Sequence, residues 1–376
     1  MKYRSYFGKD ISQLGFGAMR LPGGGSPGSI DIAKSEELLM YAYEHGVNYY
    51  DSAYVYNNGK SEEAVGEIFR RSNVRSKIYL ATKLPTFGKF IDGDFNEYFG
   101  EQLKRLQTDY IDFYLIHNLN SEKWDELKKR NIFKFMEDLK SRGVIRHIGF
   151  SFHDSCEAFK YIIDDYDWEF AQIQYNFMDT QYQAGTEGLE YAGSKNIPVV
   201  IMEPLKGGQL TGSSDPYIKT LLDSHGLSGA TLAGTALKFV MDRPEVMTTL
   251  SGMNDLEHVK ENIQTASEAG AGSQPENEKA FLKAFSEYVS GKDIIPCTAC
   301  RYCTADCPEE ISIPDIFTCY NDAVMFDSTE ANRRSVGMFH SNIRNCAECG
   351  QCSDVCPQHF DIPELLKKVR TYLGTD

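Results

Sequence analysis

At 376 residues the chain is long enough for a large core and for one or two domains. Its net charge of −15 argues against nucleic acid or an anionic membrane surface as a partner, because phosphates repel such a field. The opening MKYRSYFGKD has no apolar stretch that reads as a secretion signal, and no apolar run reaches bilayer-spanning length. The expectation is a cytoplasmic protein that binds no membrane.

Eight apolar runs succeed one another along residues 1–265: LGFGAMRL (14–21), VNYYDSA (47–53), KIYLATKL (77–84), YIDFYLIH (110–117), HIGFSF (147–152), FAQIQYN (170–176), PVVIMEPL (198–205) and VMTTLSG (246–252). Each is bounded by turn residues or charge. Between them lie segments with helical period, such as SEELLMYAYEH (35–45) and WDELKKRNIFKFMEDLKSRG (124–143). Gly46, Gly143 and Asn196 sit where helices should stop. A strand signal followed each time by a helix signal predicts an α/β fold, the (β/α)8 TIM barrel, with a doubly wound sheet as the alternative. Next, EAGAGSQPENE (268–278) reads as a surface crossing and KAFLKAFSEYVSG (279–291) as a helix. Residues 292–376 read as short helices between two cysteine loops. The expected domains are 1–278, the barrel, and 279–376, a mainly helical cysteine-rich unit.

Two glycine patterns imitate phosphate-binding motifs. Gly23, Gly25 and Gly28 fit G-x-G-x-x-G, but Pro27 lies inside the pattern and the helix signal begins only near Asp31. Gly59-Lys60-Ser61 resembles the end of a P-loop, but the earlier glycine it needs is Tyr54. Both read as ordinary loops.

Of ten cysteines, nine fall between Cys297 and Cys356, and only Cys156 lies outside. A disulfide framework belongs to small secreted domains, so this clustering points to metal. CTACRYCTADCP (297–308) and CAECGQCSDVCP (346–357) both fit C-x2-C-x2-C-x3-C-P, the bacterial [4Fe–4S] pattern. In that pattern three close thiolates wrap one cube and the fourth reaches the other. The expected sets are Cys297, Cys300, Cys303 with Cys356, and Cys346, Cys349, Cys352 with Cys307. Zinc is the alternative, since C-x2-C pairs also make S4 sites, but it would need only two such pairs. The tail resembles a dicluster ferredoxin domain, in a helical version given the long gap between loops. Cys319 and Cys156 are expected to be buried, inert thiols.

In the barrel the most informative stretch is DSAYVYNNGKSEEAVG (51–66), which begins at a strand's C-terminal end, where barrel chemistry sits. Together with LGFGAMRL, ATKL, DYIDFYLIH and IGFSFH, in this order and spacing, it makes the chain resemble the aldo-keto reductase family over essentially all of 1–265. The resemblance implies a catalytic set of Asp51, Tyr56, Lys83 and His117. Those residue types suit the chemistry. A carbonyl that accepts hydride must also receive a proton, and a free tyrosine, with a pKa near ~10, is a poor acid at neutral pH. The Lys83 ammonium would lower that value, Asp51 would hold Lys83, and His117 would orient the carbonyl.

The resemblance also implies the cofactor contacts. Ser151 and Gln172 match positions that hold the nicotinamide carboxamide. Glu261 and Asn262 match the pair near the adenine. Met202 stands where many members stack an aromatic. Gly17, Ala18, Met19, Asp51, Pro204, Leu205, Gly252, Asn254 and His258 complete the implied set. The family usually grips the 2′-phosphate of NADP with basic residues. Here Gly252 and Met253 occupy the usual basic positions and His258 one where arginine is common, so NADP and NAD both stay open. Asn254 and Glu257 read as the capping box of a helix that offers its N–H groups to a phosphate. Tyr54, Trp124 and Tyr182 are candidates for pocket lining or for packing, and residues 118–131 and 178–188 for pocket loops.

The expected function is NAD(P)H-dependent hydride transfer between a small-molecule carbonyl and its alcohol. Two [4Fe–4S] clusters would exchange electrons with a redox partner such as a ferredoxin or flavoprotein. Hydride carries two electrons and a cluster takes one, and no flavin motif is visible to convert between them. Two alternatives therefore stand beside this expectation. One keeps the reductase and makes the clusters structural or redox-sensing, with the tail forming a wall of the substrate pocket. The other is a non-catalytic nicotinamide-binding regulator, as channel β-subunits of the family are.

Overall fold

The computed structural model describes residues 1–23, 29–86, 90–211, 216–305, 307–326 and 341–374. Strands β1 (Tyr3–Tyr6) and β2 (Lys9–Ser12) form an antiparallel hairpin. Eight further strands follow: β3 (Leu14–Gly17), β4 (Tyr49–Asp51), β5 (Tyr79–Leu84), β6 (Ile111–Leu119), β7 (Ile145–Phe152), β8 (Phe170–Gln174), β9 (Val199–Met202) and β10 (Val246–Ser251). They close into a barrel in the order β10-β3-β4-β5-β6-β7-β8-β9, every pair parallel. Each of the eight apolar runs thus supplies one barrel strand, and the doubly wound alternative falls. Every residue of β6 is buried, as expected of a parallel strand covered on both faces.

The helices are α1 (Ile32–Glu44), α2 (Lys60–Arg71), α3 (Phe95–Leu106), α4 (Ser121–Lys129), α5 (Ile132–Ser141), α6 (Cys156–Asp164), α7 (Gly185–Ser194), α8 (Pro216–Ser224), α9 (Leu232–Met241), α10 (Leu256–Glu268), α11 (Glu276–Ser290), α12 (Tyr302–Ala305) and α13 (Ile313–Phe326). Two more, Gln351–Asp354 and Ile362–Leu373, follow in the tail. Gly46, Gly143 and Asn196 follow α1, α5 and α7 at φ 95°, 71° and 60°, the left-handed stop that ends a helix.

Two expectations about residues 118–143 need correcting. The helix-period stretch 124–143 is two helices, because Asn131 at φ 59° breaks α4 from α5. Residues 118–131, expected as a pocket loop, are mostly α4. Trp124 is fully buried there. Its indole N–H donates to Asp165 at 2.8 Å and its ring lies 5.2 Å from Trp168. It packs in the helix layer, with no surface open to solvent.

The hairpin was not foreseen. Its turn has Phe7 at φ 56° and Gly8 at φ 69°, the two-residue geometry that matches strand twist. Its Ile11 joins Tyr49, Ala81, Phe113, Leu115, Phe170, Val200, Met247 and Leu250 in one buried cluster, with Phe7 packed against it. The Phe7 and Phe113 rings are 6.0 Å apart. Residues from six barrel strands fill the interior here, so the barrel is a packed core and not a pore.

The chain divides into two compact units, Met1–Pro204 with Gly234–Pro275, and Leu205–Ala233 with Glu276–Asp376. The first holds all the strands among the described residues. The second has its own apolar core of Ile295, Ile311, Ile313, Ile316, Phe317, Tyr320, Ala323, Ile343, Ile362, Leu366 and Val369. In it the rings of Tyr217 of α8 and Tyr288 of α11 pack at a tilt, 4.3 Å between centroids. Among the described residues no helix is long and apolar enough to cross a membrane.

Candidate active site and cysteine loops

Lys83 sits near the end of β5 with no solvent exposure. Its ammonium donates to Asp51 Oδ1 at 2.5 Å, to the Ser52 carbonyl at 2.7 Å and to Tyr56 Oη at 3.3 Å. All three of its protons are therefore assigned, and one points at the Tyr56 phenol. Burial pushes Lys83 below its ordinary pKa and Asp51 above its own, while their contact opposes both shifts. The three acceptors around Nζ favour the ion pair. A second carboxylate stands behind it. Glu62 of α2 is fully buried and accepts from Thr82 at 2.6 Å and from Gln102 at 2.9 Å. Gln102 also donates to the Lys83 carbonyl at 3.0 Å, and Arg105 reaches Glu62 at 3.3 Å. Sequence reasoning passed over Glu62, although it lies inside the quoted 51–66 stretch.

His117 is aimed by an irregularity in the sheet. The β6–β7 pairing runs from Ile116 opposite Phe150 to Leu119 opposite Phe152, so two residues of β6 face one of β7. This bulge, with Asn118 at φ 55°, redirects the strand end at the site. Asn118 N–H donates to Ser151 Oγ at 2.8 Å and Thr86 Oγ donates to the His117 carbonyl at 2.6 Å, which pins the bend. The imidazole lies edge-on to the Tyr56 ring at 6.0 Å between centroids. Burial, followed by the charge of Lys83, holds His117 well below its ordinary pKa. It is neutral at pH 7, carrying one ring N–H.

Five of the implied cofactor positions, Gly17, Asp51, Ser151, Gln172 and Met202, lie in the paired parts of barrel strands. Gly17 pairs with Asp51, Ser151 with Gln172, and Gln174 with Met202. Gln172 carries a buried Oε1 with no hydrogen-bond partner, and its amide nitrogen is 3.7 Å from Met202 Sδ. Asp51 Oδ2 is likewise buried and unpartnered. Unmet acceptors at these positions fit a ligand that brings N–H or O–H donors, as a nicotinamide carboxamide and ribose do. Ala18 and Pro204 are buried, Gly17, Met19 and Leu205 half-buried, and Pro204 ends the first unit where Leu205 opens the second. Asn262 is buried and donates to Ser251 Oγ at 3.0 Å, Glu261 is half-buried, and Asn254 and His258 are exposed.

The expected cap of α10 moves by one residue. Asp255, not Asn254, is the N-cap, its carboxylate accepting from Glu257 N–H at 2.9 Å. Met253 is buried. A basic residue does stand here, in the short 3-10 turn Ala18–Arg20 after β3: a Cβ on Gly252 would lie 3.4 Å from Arg20 Cδ and Nη1. Arg20 pairs with Glu203 at 3.1 Å. No local signal marked it, because the contact spans most of the barrel sequence.

The motif imitations resolve into structure. Ser61 bonds the Ala18 carbonyl at 2.8 Å and Ser52 Oγ at 2.9 Å, tying the start of α2 to strand ends. Gly25 and Gly28 lie outside the described residues. Tyr54 packs beside Tyr98 and Arg105, at 5.3 and 4.1 Å, and donates to Glu101. Tyr182 is half-buried in the turn after β8.

In the tail the thiols ring two separate cavities. One is lined by Cys297, Cys300, Cys303 and Cys356. The other is lined by Cys346, Cys349, Cys352 and Cys307. In each, three thiols of one loop meet the fourth of the other. Apolar side chains complete the walls, Phe317, Phe360 and Ile362 in the first and Ile311, Ile313 and Leu366 in the second. Burial, then Cys300, Cys297 and Cys356, push the Cys303 thiol far up. Such a set becomes thiolate only around a multiply charged cation, which fits iron–sulfur ligation. Among the described residues no three Cys, His, Asp or Glu side chains converge as a single ion would require. Cys319 and Cys156 are half-buried. Neither is fully buried as expected; burial raises the Cys156 pKa, the direction of a less reactive thiol.

A family model described as "Aldo/keto reductase family" matches residues 13–269, and one described as "4Fe-4S dicluster domain" matches residues 296–360. An uncharacterized oxidoreductase of Bacillus subtilis, YqkF, is 27% identical over 287 residues, spanning 68% of this chain and 88% of that one. The holo form of aldo-keto reductase AKR11C1 from Bacillus halodurans is similar with a TM-score of 0.61 and 26% identity, over 76% of this chain and 96% of that one. An aldo-keto reductase from Klebsiella pneumoniae, in complex with NADPH, shares the fold with a TM-score of 0.59 and 22% identity, over 76% and 95% of the two chains.

Proposed function

The chain belongs to the aldo/keto reductase family, and we propose that it interconverts a small-molecule carbonyl and its alcohol with NADP(H), with two [4Fe–4S] clusters in its tail. The observation that carries this reading is the buried run Asp51–Lys83–Tyr56 with the His117 ring against the phenol. When bound, the nicotinamide supplies or accepts hydride and the clusters supply one-electron chemistry. The residues named above for the carboxamide, ribose and adenine would hold the cofactor, and the two sets of four thiols the clusters. NADP is favoured over NAD by Arg20 beside Gly252, and by the NADPH complex of the Klebsiella relative.

Tyr56 is the acid. As negative charge grows on the carbonyl oxygen, its phenol gives up a proton, and the Lys83 ammonium at 3.3 Å stabilises the phenolate left behind. Asp51 keeps Lys83 charged and pointed at Tyr56. Neutral His117 donates its ring N–H to the substrate oxygen and holds the carbonyl in line. In the oxidative direction the same phenolate takes the alcohol proton. Anaerobic turnover of a panel of aldehydes and ketones, with NADPH and NADH compared, tests the reading. Failure to reduce any member would shift the balance to a regulatory, non-catalytic role.

The clusters are assigned to electron exchange with a redox partner such as a ferredoxin or flavoprotein. The measurement is NADPH-driven bleaching of the cluster absorption. A spectrum unchanged by NADPH, in protein holding about eight irons, would give the clusters a structural or sensing role.

A further inference from the structure

Immediately after β9 the chain runs through Lys206 at φ 48°, Gly207 at φ 68° and Gly208 at φ 98°. Three successive left-handed residues, the first of them a buried lysine, persist only where the surroundings hold them. Their support comes from the cysteine loop. Gln209 Nε2 donates to the Cys297 carbonyl at 2.7 Å and reaches the Ile295 carbonyl at 3.4 Å. Gly207 is pressed so closely on the loop that a Cβ there would sit 2.3 Å from the Thr298 carbonyl oxygen. The loop is fixed from its other side by Asn321 of α13, which bonds both the N–H and the carbonyl of Ile295 at 2.7 Å. Cys297 and Thr298 line the first thiol cavity. All these contacts lie inside the second unit. Its link to β9 is covalent, through Pro204 and Leu205, two of the implied cofactor positions.

We propose that Gln209 is a positioning residue that couples cluster assembly to cofactor grip. With the first cavity filled, the Ile295–Thr298 loop is rigid, presents the Cys297 carbonyl to Gln209, and holds the backbone that follows Leu205 in its left-handed course. Without the cluster, the Cys297 loop loses its central ligand and the anchor for that backbone loosens. Coupling of this kind is reciprocal: what the cluster adds to NADP(H) affinity, NADP(H) adds to cluster retention. The inference rests on the reading of this protein as a cluster-bearing, NADP(H)-binding reductase.

The test uses the full chain, purified anaerobically. NADPH dissociation constants are measured by fluorescence for loaded protein, for protein stripped with an iron chelator, and for Gln209→Ala. Stripping should weaken NADPH binding about tenfold, and loaded Gln209→Ala should show a similar loss. Stripping Gln209→Ala should then add little, because one link is broken twice. In the reciprocal measurement, NADPH should slow iron loss to chelator in the wild type and not in Gln209→Ala. Iron-loaded wild type whose NADPH affinity is unchanged by stripping overturns the coupling and leaves the reductase reading intact. If stripping unfolds the chain, loaded Gln209→Ala decides: wild-type affinity there overturns the proposal. Protein that holds no iron, or binds no NADPH, overturns the underlying reading and this inference with it.

Discussion

The reductase site and the thiol cavities are built on opposite plans. Asp51, Lys83 and His117 stand on three strands of a closed hydrogen-bonded sheet, and Tyr56 follows the first of them. Their mutual contacts are already made by the protein alone. The eight thiols stand on two loops and on the four-residue helices within them, Tyr302–Ala305, which carries Cys303, and Gln351–Asp354, which carries Cys352. They ring two cavities and pack on the apolar core of the tail, with no ladder of strand hydrogen bonds to fix them. A barrel strand is held by two neighbours along its length, so a side chain at its end is positioned before any ligand arrives. A loop between single-turn helices has no such ladder, and its geometry is completed by the group it binds. The barrel should therefore respond to mutation through chemistry, and the tail through assembly.

The largest effect should come from Tyr56→Phe. Carbonyl reduction should fall by a factor of about 10²–10⁴ while NADPH affinity stays unchanged. Full activity in that variant would remove Tyr56 as the acid. Next, Lys83→Met leaves Asp51 charged and buried without its partner. A loss of about 3–5 kcal/mol is expected in denaturant unfolding of the barrel, and a variant as stable as wild type would mean that Asp51 is not ionised. On the tail side, Cys307→Ser should cut iron from about eight to about four per chain. Spectroscopy should then find the surviving cluster on Cys297, Cys300, Cys303 and Cys356. Loss of that cluster instead would undo the crossed pairing.

The smallest effect is a pH dependence. His117 is neutral in the fold, with its pKa depressed by burial, whereas in the unfolded chain it takes a proton near pH ~6.5. Below that pH the unfolded state binds the extra proton, so stability is lost as pH falls, by up to about 1.4 kcal/mol per pH unit from this group. His117→Asn should lose less stability than wild type between pH 6.5 and 5.5. Parallel curves would show that His117 gains its proton in the fold as readily as out of it.

Much of this was legible beforehand because it is written locally. Strand and helix periods, the glycine and asparagine stops, and the spacing of CTACRYCTADCP are properties of neighbouring residues, and they were enough to call for a closed barrel and a cysteine tail. The Phe7–Gly8 turn escaped because phenylalanine is an unusual residue at positive φ. The α4–α5 break escaped because Asn131 interrupts a helical period that continues on both sides. The cap of α10 was misassigned by one residue because Asn254 and Asp255 can both cap.

Sequence alone determined which residue types stand at each strand end and how the thiols are spaced, since both follow from the order of residues along one backbone. Tertiary structure decided what meets across the chain. It brought Glu62 behind Lys83, Arg20 beside Gly252, and Cys307 into the ring with Cys346, Cys349 and Cys352. It set Gln209 on the Cys297 carbonyl and gathered Leu205–Ala233 into one compact unit with the cysteine tail. These pairings join residues far apart in sequence. Hydrogen bonding and close packing choose such partners only once the sheet has closed and the tail has formed its own core.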